Sequence, residues 1–193
     1  MQTRNSSGLV QFCSHLEDRP GLTILDFAGA NQSTITFLTN NYHRLYSQDL
    51  LLQLDESFGD GDFYLNQSDP NRMADFLDKA FAFEDQQFDA ALVWDTLQFL
   101  ASPLLESVMQ RLWRAMRPGS CLLAVFHAEE HANNLPSYSY RIVDQKTIGL
   151  VPKGMRKPAR TFNNRGLEKL FQDFESVKFF LTRDHLREVI VRR

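Results

Sequence analysis

The sequence predicts a three-layer α/β domain: a mostly parallel sheet covered by helices on both faces, ending in an antiparallel hairpin. Three observations carry that expectation. Helical and extended patterns alternate along the chain, the order that builds a parallel sheet. Two near-continuous apolar runs, Phe88 to Trp94 and Cys121 to Phe126, read as strands buried on both faces. Near the C-terminus, Val177 to Leu181 and Val189 to Val191 are joined by a turn at Arg183-Asp184-His185, short enough only for an antiparallel pair.

The elements follow in order. Leu9, Phe12, Cys13 and Leu16 recur at helical spacing after polar Asn5-Ser6-Ser7, and Pro20-Gly21 ends that helix. Leu22 to Phe27 is a buried strand containing Asp26 near its end. Thr34 to Asn40 reads as a helix turning Ile35 and Leu38 inward, and His43 to Asp49 as a second strand that again ends in an acid. From Leu50 to Phe83 the pattern is least regular. Gly59-Asp60-Gly61 marks a turn, and Met73, Phe76, Leu77 and Phe81 fit a helical face, so the third strand expected of a doubly wound sheet has no obvious place. Ser102 is placed to cap a helix with Pro103 at its first position, and Leu105, Val108, Met109, Leu112 and Met116 carry that helix to Pro118-Gly119. A loop-rich region is expected from the end of the Cys121 strand to about Thr161, followed by a helix bearing Leu167, Leu170, Phe171 and Phe174.

Residues 1–193 are expected to form one domain, a length that buries a full core without staples. A net charge of −3 supplies no field that draws nucleic acid non-specifically. Cys13 and Cys121 are too few for a disulfide framework and lack metal-ligand spacing, which suits a reducing, cytoplasmic setting. No run approaches the roughly 18 apolar residues of a membrane span, and the N-terminus has no signal-peptide core.

Ligands of open α/β sheets bind beyond the carboxyl ends of the strands, at the point where strand order reverses. Three such ends stand out: Asp26 followed by Ala28-Gly29-Ala30-Asn31, then Asp49, then Trp94-Asp95. A loop of small residues lets backbone N–H groups approach a ligand closely. An acid about twenty residues further on is placed to accept ribose hydroxyls, an interval that Asp26 to Asp49 fits. Each acid alone reads as a solvated strand terminus; it is their order that points to a nucleoside site.

On these residues the chain resembles the class I S-adenosylmethionine-dependent methyltransferases. Asp26-Phe27-Ala28-Gly29-Ala30-Asn31-Gln32 is similar to the family's acid followed by a glycine loop, and Asp49 falls at its ribose-binding acid. Phe88 to Leu97 resembles the fourth-strand motif, and Leu112 to Leu123, with Pro118-Gly119, the helix–proline–glycine–strand signature. Tyr46 to Leu50 and Trp94 to Leu100 look like a group of bacterial methyltransferase-like proteins. The resemblance implies a Rossmann-like methyltransferase sandwich and S-adenosylmethionine as cofactor. It implies a cradle from Asp26, Ala28, Gly29, Ala30 and Asn31, with Asp49 and Leu50 at the ribose and Trp94 and Asp95 flanking the methionine side. It further implies methyl transfer to a small-molecule nucleophile, with neither nucleic acid nor membrane as partner. Such transfer depends on alignment more than on acid–base groups; His127, at a strand end, is the candidate base. Ala28, Ala30 and Gln32 stand where the family usually has glycine. Alanine does not freely take φ > 0, and Gln32 is bulky enough to intrude at the methionine end. These departures motivate an alternative, a non-catalytic binding or assembly protein on the same fold.

Other patterns carry less. His127-Ala128-Glu129-Glu130-His131 matches the H-x-x-E-H spacing of a zinc peptidase, but it follows a strand and Asn133 to Pro136 breaks any helix, so no metal is expected. Lys153, Arg156, Lys157, Arg160 and Arg165 form a basic stretch, read as a solvated connection in preference to a lid or a phosphate patch. Tyr138 and Tyr140 precede it and read either as packing or as pocket-lining residues. The fourth-strand end lacks the Asn/Asp-Pro-Pro-aromatic motif of enzymes acting on exocyclic base amines, and no G-x-G-x-x-G supports a nicotinamide cofactor.

Overall fold

Strands without alternating polarity lie at the middle of the main sheet, because both of their faces are covered. In the computed structural model, which describes residues 1–129, 133–182 and 184–193, the chain runs β1 (Gln2–Asn5), α1 (Ser7–Leu16), β2 (Thr23–Asp26), α2 (Gln32–Asn40), β3 (Arg44–Ser47), α3 (Leu50–Phe58), α4 (Phe63–Asn66), α5 (Pro70–Ala80) and β4 (Phe88–Trp94). A 3₁₀ turn (Thr96–Phe99) then leads to α6 (Ser102–Ala115), β5 (Met116–His127), β6 (Leu135–Asp144), β7 (Thr147–Arg156), α7 (Asn164–Leu170), β8 (Ser176–Leu181) and β9 (Leu186–Arg192).

The main sheet has the order β3-β2-β4-β5-β9-β8. The first three pairings are parallel and the last two antiparallel, so the expected C-terminal hairpin is present. Arg183 of its turn lies outside the described residues. Alternate residues of β4 and β5 feed two separate cores. Ala91, Val93, Leu122, Ala124 and Phe126 pack with α3, α5, α6 and α7, while Leu92, Trp94, Leu123 and Val125 pack with α1 and α2. That arrangement is the three-layer sandwich.

Capping explains several helix starts. The Ser6 side chain accepts from Leu9 N, Asn31 from Thr34 N, Asp49 from Leu52 N and Asp69 from Arg72 N, each satisfying a first-turn N–H that has no intrahelical partner. Ser102 does not follow suit: Ala101 holds the cap position of α6 without a side-chain bond, and the Ser102 hydroxyl accepts from Arg160 instead. In α2 it is Thr34, with Leu38, that is fully buried, and Ile35 is only half-buried.

The main correction concerns residues 128–161. Much of that region forms β6 and β7, not loop, and with β1 they make a second, antiparallel sheet in the order β1-β7-β6. The turn signal at Asp144-Gln145 and the alternation of Tyr138, Tyr140 and Ile142 were present in the sequence. Pro136, Gly149, Pro152 and Gly154 diluted the strand signal, as proline and glycine do. Tyr140, Ile142, Ile148 and Leu150 from this sheet enter the second core. Where a third parallel strand was expected, the chain forms α3, α4 and α5, leaving β3 as the end of the sheet. No helix among the described residues is long and apolar enough to cross a membrane.

Candidate functional site

The turns after β2 and β3 lie side by side. Ala28 and Asp49 form an isolated antiparallel bridge, Gly29 N donates to Gln48 O (3.1 Å), and Leu50 N donates to Phe27 O (3.2 Å). Gly29 has φ +80, and a Cβ there would lie 3.1 Å from Asp49 Cβ. Glycine is therefore required at that position on two counts. Ala28 and Ala30 are not among the residues with positive φ, so alanine costs nothing at either. Gln32 opens α2 with its amide folded back onto Thr36 Oγ1 (2.9 Å) at an exposed position. It does not intrude on the cleft.

Asp26 is buried, with Oδ1 accepting from Ala28 N (3.1 Å) and from the Trp94 indole (2.7 Å), while Oδ2 has no partner. Burial pushes its carboxyl up to about 6, the two hydrogen bonds holding it back. Asp49 is held twice: Oδ1 caps α3, and Oδ2 meets Lys153 Nζ at 2.5 Å. Leu50 is fully buried beneath it.

At the end of β4, Trp94 adopts φ +54, an uncommon conformation for a bulky residue, and its indole is buried. The Tyr140 ring of β6 stacks on it, with centroids 4.8 Å apart and planes at 12°. The Tyr140 backbone lies near Asn31, whose amide donates to Tyr140 O at 3.5 Å. Ser33 donates to Ile142 O, and Thr34 Oγ1 accepts from Ile142 N. The start of α2 thus acts as an edge partner for β6. Asp95 is only 1% exposed; burial pushes it up to about 7, with the nearby Tyr140 hydroxyl and the charges of Arg156 and Lys153 opposing. Neither Asp95 Oδ2 nor Tyr140 Oη reaches a partner in hydrogen-bond geometry.

His127 ends β5, buried, with its N–H donating to Gln98 Oε1 (3.2 Å) and its Nε2 without a partner. Burial lowers its pKa, keeping the imidazole neutral near pH 7. Glu130 and His131 of the H-x-x-E-H pattern lie outside the described residues, and among the described residues no cluster of His, Cys, Asp or Glu could hold a metal. The basic stretch is largely pinned down. Besides Lys153 on Asp49, Arg156 makes a bidentate pair with Asp55 (2.7 and 2.6 Å) and lies over Phe63 and Phe99, the Tyr64 hydroxyl donates to Lys157 O, and Arg160 lies over Phe162.

The sequence thus located Asp26, Ala28, Gly29, Ala30, Asn31, Asp49, Leu50, Trp94 and Asp95 around one set of strand ends. Tyr140, which the sequence left open between packing and pocket lining, stands among them, as does Lys153, read there as part of a solvated connection. The retained Gly29 suits a nucleoside cradle, the Tyr140 ring stacks on Trp94, and the Lys153 ammonium pairs with Asp49. Cavities of about 790 Å³ and 380 Å³ open elsewhere, between α6 and α7 and between α3 and α5.

No protein-family model and no curated protein sequence matches the chain. Solved structures do. The 1,6-didemethyltoxoflavin-N1-methyltransferase of Burkholderia thailandensis, solved with 1,6-didemethyltoxoflavin and S-adenosylhomocysteine, superposes with TM-score 0.55 at 12% identity over 96% of this chain and 76% of its own. A SAM-dependent methyltransferase from Methanosarcina mazei gives 0.52 at 15% identity, covering 94% and 96%. An S-adenosylmethionine-dependent methyltransferase from Mesorhizobium loti gives 0.50 at 13%, covering 95% and 96%. Likeness at such low identity speaks to architecture, and with the sheet order and strand-end turns described above, the chain has the fold of the class I S-adenosylmethionine-dependent methyltransferases.

Proposed function

We propose that this chain is a non-catalytic member of the methyltransferase architecture, a binding or assembly protein whose nucleoside cleft is filled by its own β6–β7 hairpin. One observation carries the reading: Tyr140 is stacked on Trp94 in the cleft whose ribose-side acid, Asp49, is bound by Lys153. The ion pair alone is no obstacle, since a partly exposed pair is worth about 0–1 kcal/mol. The apolar side of the hairpin supports the reading more strongly. Lifting it would expose Tyr140, Ile142, Ile148 and Leu150, all buried. At roughly 1.5–3 kcal/mol per side chain that is about 6–12 kcal/mol, comparable to the whole stability of a domain. A cost near 6 kcal/mol weakens apparent affinity about 10⁴-fold, so an intrinsic Kd of about 1 µM becomes about 10 mM.

A second reading is favoured by a separate observation. Gly29 keeps its left-handed cradle geometry, and the buried Asp26 Oδ2, Asp95 Oδ2 and His127 Nε2 lack partners, as polar groups awaiting a ligand do. In this reading the chain is an S-adenosylmethionine-dependent methyltransferase acting on a small molecule, as the Burkholderia enzyme does. The backbone at Ala28 to Asn31 would cradle the amino-acid end of the cofactor, Asp49 would hold the ribose and Asp26 would orient the loop, S-adenosylmethionine supplying the methyl group, and His127 would be the nearest base.

Calorimetric titration with S-adenosylhomocysteine separates the two. We expect no saturable heat up to about 1 mM ligand, in the native chain and in Lys153→Ala alike. Micromolar binding that Asp49→Ala weakens would overturn the first reading in favour of the second.

A further inference from the structure

β8 ends the main sheet, with β9 on one side of it and no strand on the other. Which of its backbone groups face outward follows from the hydrogen bonds of β9. Ala128 N donates to His185 O (2.8 Å) and Arg193 N to Ser120 O (3.2 Å), so the odd-numbered residues of β9 bond toward β5. Bonding alternates along an antiparallel strand, which turns the even-numbered residues of β9 toward β8. The register Lys178↔Ile190 and Phe180↔Glu188 carries that parity to β8, and Thr182 N, donating to Leu186 O (2.9 Å), obeys it. The N–H and C=O groups of Val177, Phe179 and Leu181 therefore point away from β9, and among the described residues none of them has a hydrogen-bond partner.

We propose that this edge pairs with β8 of a second copy of the chain, antiparallel about a two-fold axis at Phe179, joining two sheets into one. The proposal does not depend on what the cleft binds. The edge is self-complementary in that register. Phe179 faces its own counterpart and Val177 faces Leu181, so each outward N–H of one copy meets an outward C=O of the other. Lys178 lies opposite Phe180, the ring its ammonium already lies over in its own chain, 5.1 Å from the centroid. Other registers serve less well. An axis at Lys178 would set two ammonium groups opposite one another, which is destabilising. It would also set Leu181 against Glu175, whose N–H is already given to Arg192 O (2.8 Å). An axis at Phe180 would carry the partner of Val177 past the end of β8.

The side chains leave the same margin open. Val177 and Phe179 reach the core formed with α6 and α7 but are only partly buried there, as are Leu170 and Phe174. Leu181, which alternation puts on the same face, is 71% exposed. Sheet edges that stay unpaired are guarded by proline, a bulge or a covering element. β8 contains no proline, and its register with β9 runs without a shift. Its one lysine is the residue that the two-fold pairing places against an aromatic face.

The test is sedimentation velocity of the full chain from about 1 to 300 µM. A paired strand edge falls at the small end of protein interfaces, so a monomer–dimer equilibrium with Kd of about 10–100 µM is expected. Leu181→Pro removes an outward N–H that has no partner in the single chain, a place where a strand tolerates proline, and should weaken association about tenfold. Leu181→Arg, at a side chain already exposed, sets a charge opposite Val177 and should weaken it about threefold without lowering the unfolding temperature of the dilute chain. Mild oxidation reads the register: Lys178→Cys mixed with Phe180→Cys should form a disulfide-linked pair and Lys178→Cys alone should not, the native Cys13 and Cys121 being buried. A single chain throughout the concentration range, native association in both Leu181 variants, or Lys178→Cys linking to itself in preference to Phe180→Cys would each overturn the proposal.

Discussion

Asp95→Asn should raise stability at neutral and higher pH and do little in acid. Asp95 is buried beneath Tyr140, and its pKa rises from an ordinary 3.8 to about 7, chiefly because burial penalises the charged form. A carboxyl whose folded value lies above its unfolded value binds more protons in the folded state between the two. Stability from this group is therefore complete below about pH 4 and is lost as pH rises toward 7. At about 1.4 kcal/mol per pH unit, the full amplitude is roughly 4 kcal/mol, an upper bound that any hydration of the site reduces. Buried histidines run the other way: His15 is lowered to about 4 by burial and by Arg19 and Arg192, so its contribution disappears as pH falls from 6.5 to 4. The native chain alone would show these terms partly cancelling, which is why the difference between variant and native protein is the quantity to follow. Urea denaturation of both at pH 4, 5.5, 7 and 8 should give a difference that moves in favour of the variant by about 2–4 kcal/mol across the range. A difference constant within about 0.5 kcal/mol would mean that Asp95 is solvated in the folded chain and that the hairpin does not seal the cleft.

Two further substitutions probe the frame around the site. Arg4 and Glu188, with side chains 9% and 0% exposed, form an ion pair at 2.5 Å, and the second Glu188 oxygen accepts from Gly8 N at 2.6 Å. Glu188→Ala leaves Arg4 with Asp184 (2.6 Å) as its remaining carboxylate partner and the Gly8 N–H without its acceptor, so a loss of about 1–3 kcal/mol is expected in urea denaturation; a loss under about 0.5 kcal/mol would show the pair to be hydrated. Gly29→Ala places a Cβ 3.1 Å from Asp49 at φ +80 and should cost about 1–3 kcal/mol, whereas Ala30→Gly should not stabilise the fold.

The parts of the fold written as hydrophobic periodicity were readable. Leu9, Phe12, Cys13 and Leu16 are all buried on one face of α1, and the Phe88 run became the fully buried β4. The candidate turns were readable too, because an acid at a strand end followed by small residues has few structural roles. What escaped was set by contacts distant in sequence. Tyr140 meets Trp94 across 46 residues of chain, and Lys153 meets Asp49 across 104. Nothing local to β6 marks a tyrosine as bound for a cleft and not a surface. The missing third strand was legible as an absence of pattern: Leu50, Leu51, Leu54 and Phe58 have helical spacing, and they pack as α3.

Two features that look alike in sequence therefore separate in physical terms. The glycine-poor loop suggested that lost backbone freedom would disable the site, yet only Gly29 needs left-handed φ, and that residue is retained. Ala28 and Ala30 sit in ordinary conformations, and Gln32 lies along α2. Two of the loop's amides are already engaged. Ala28 N donates to Asp26 and Gly29 N to Gln48 O, so two donors that a cradle would turn toward an anionic group are used within the fold. The Trp94 indole, the Asn31 amide and the Asp49 carboxylate are likewise each bound to a neighbour. Restoring glycine at Ala28, Ala30 and Gln32 would free none of these groups. On the proposed reading, a ligand enters only after β6, with Tyr140 stacked on Trp94, has moved.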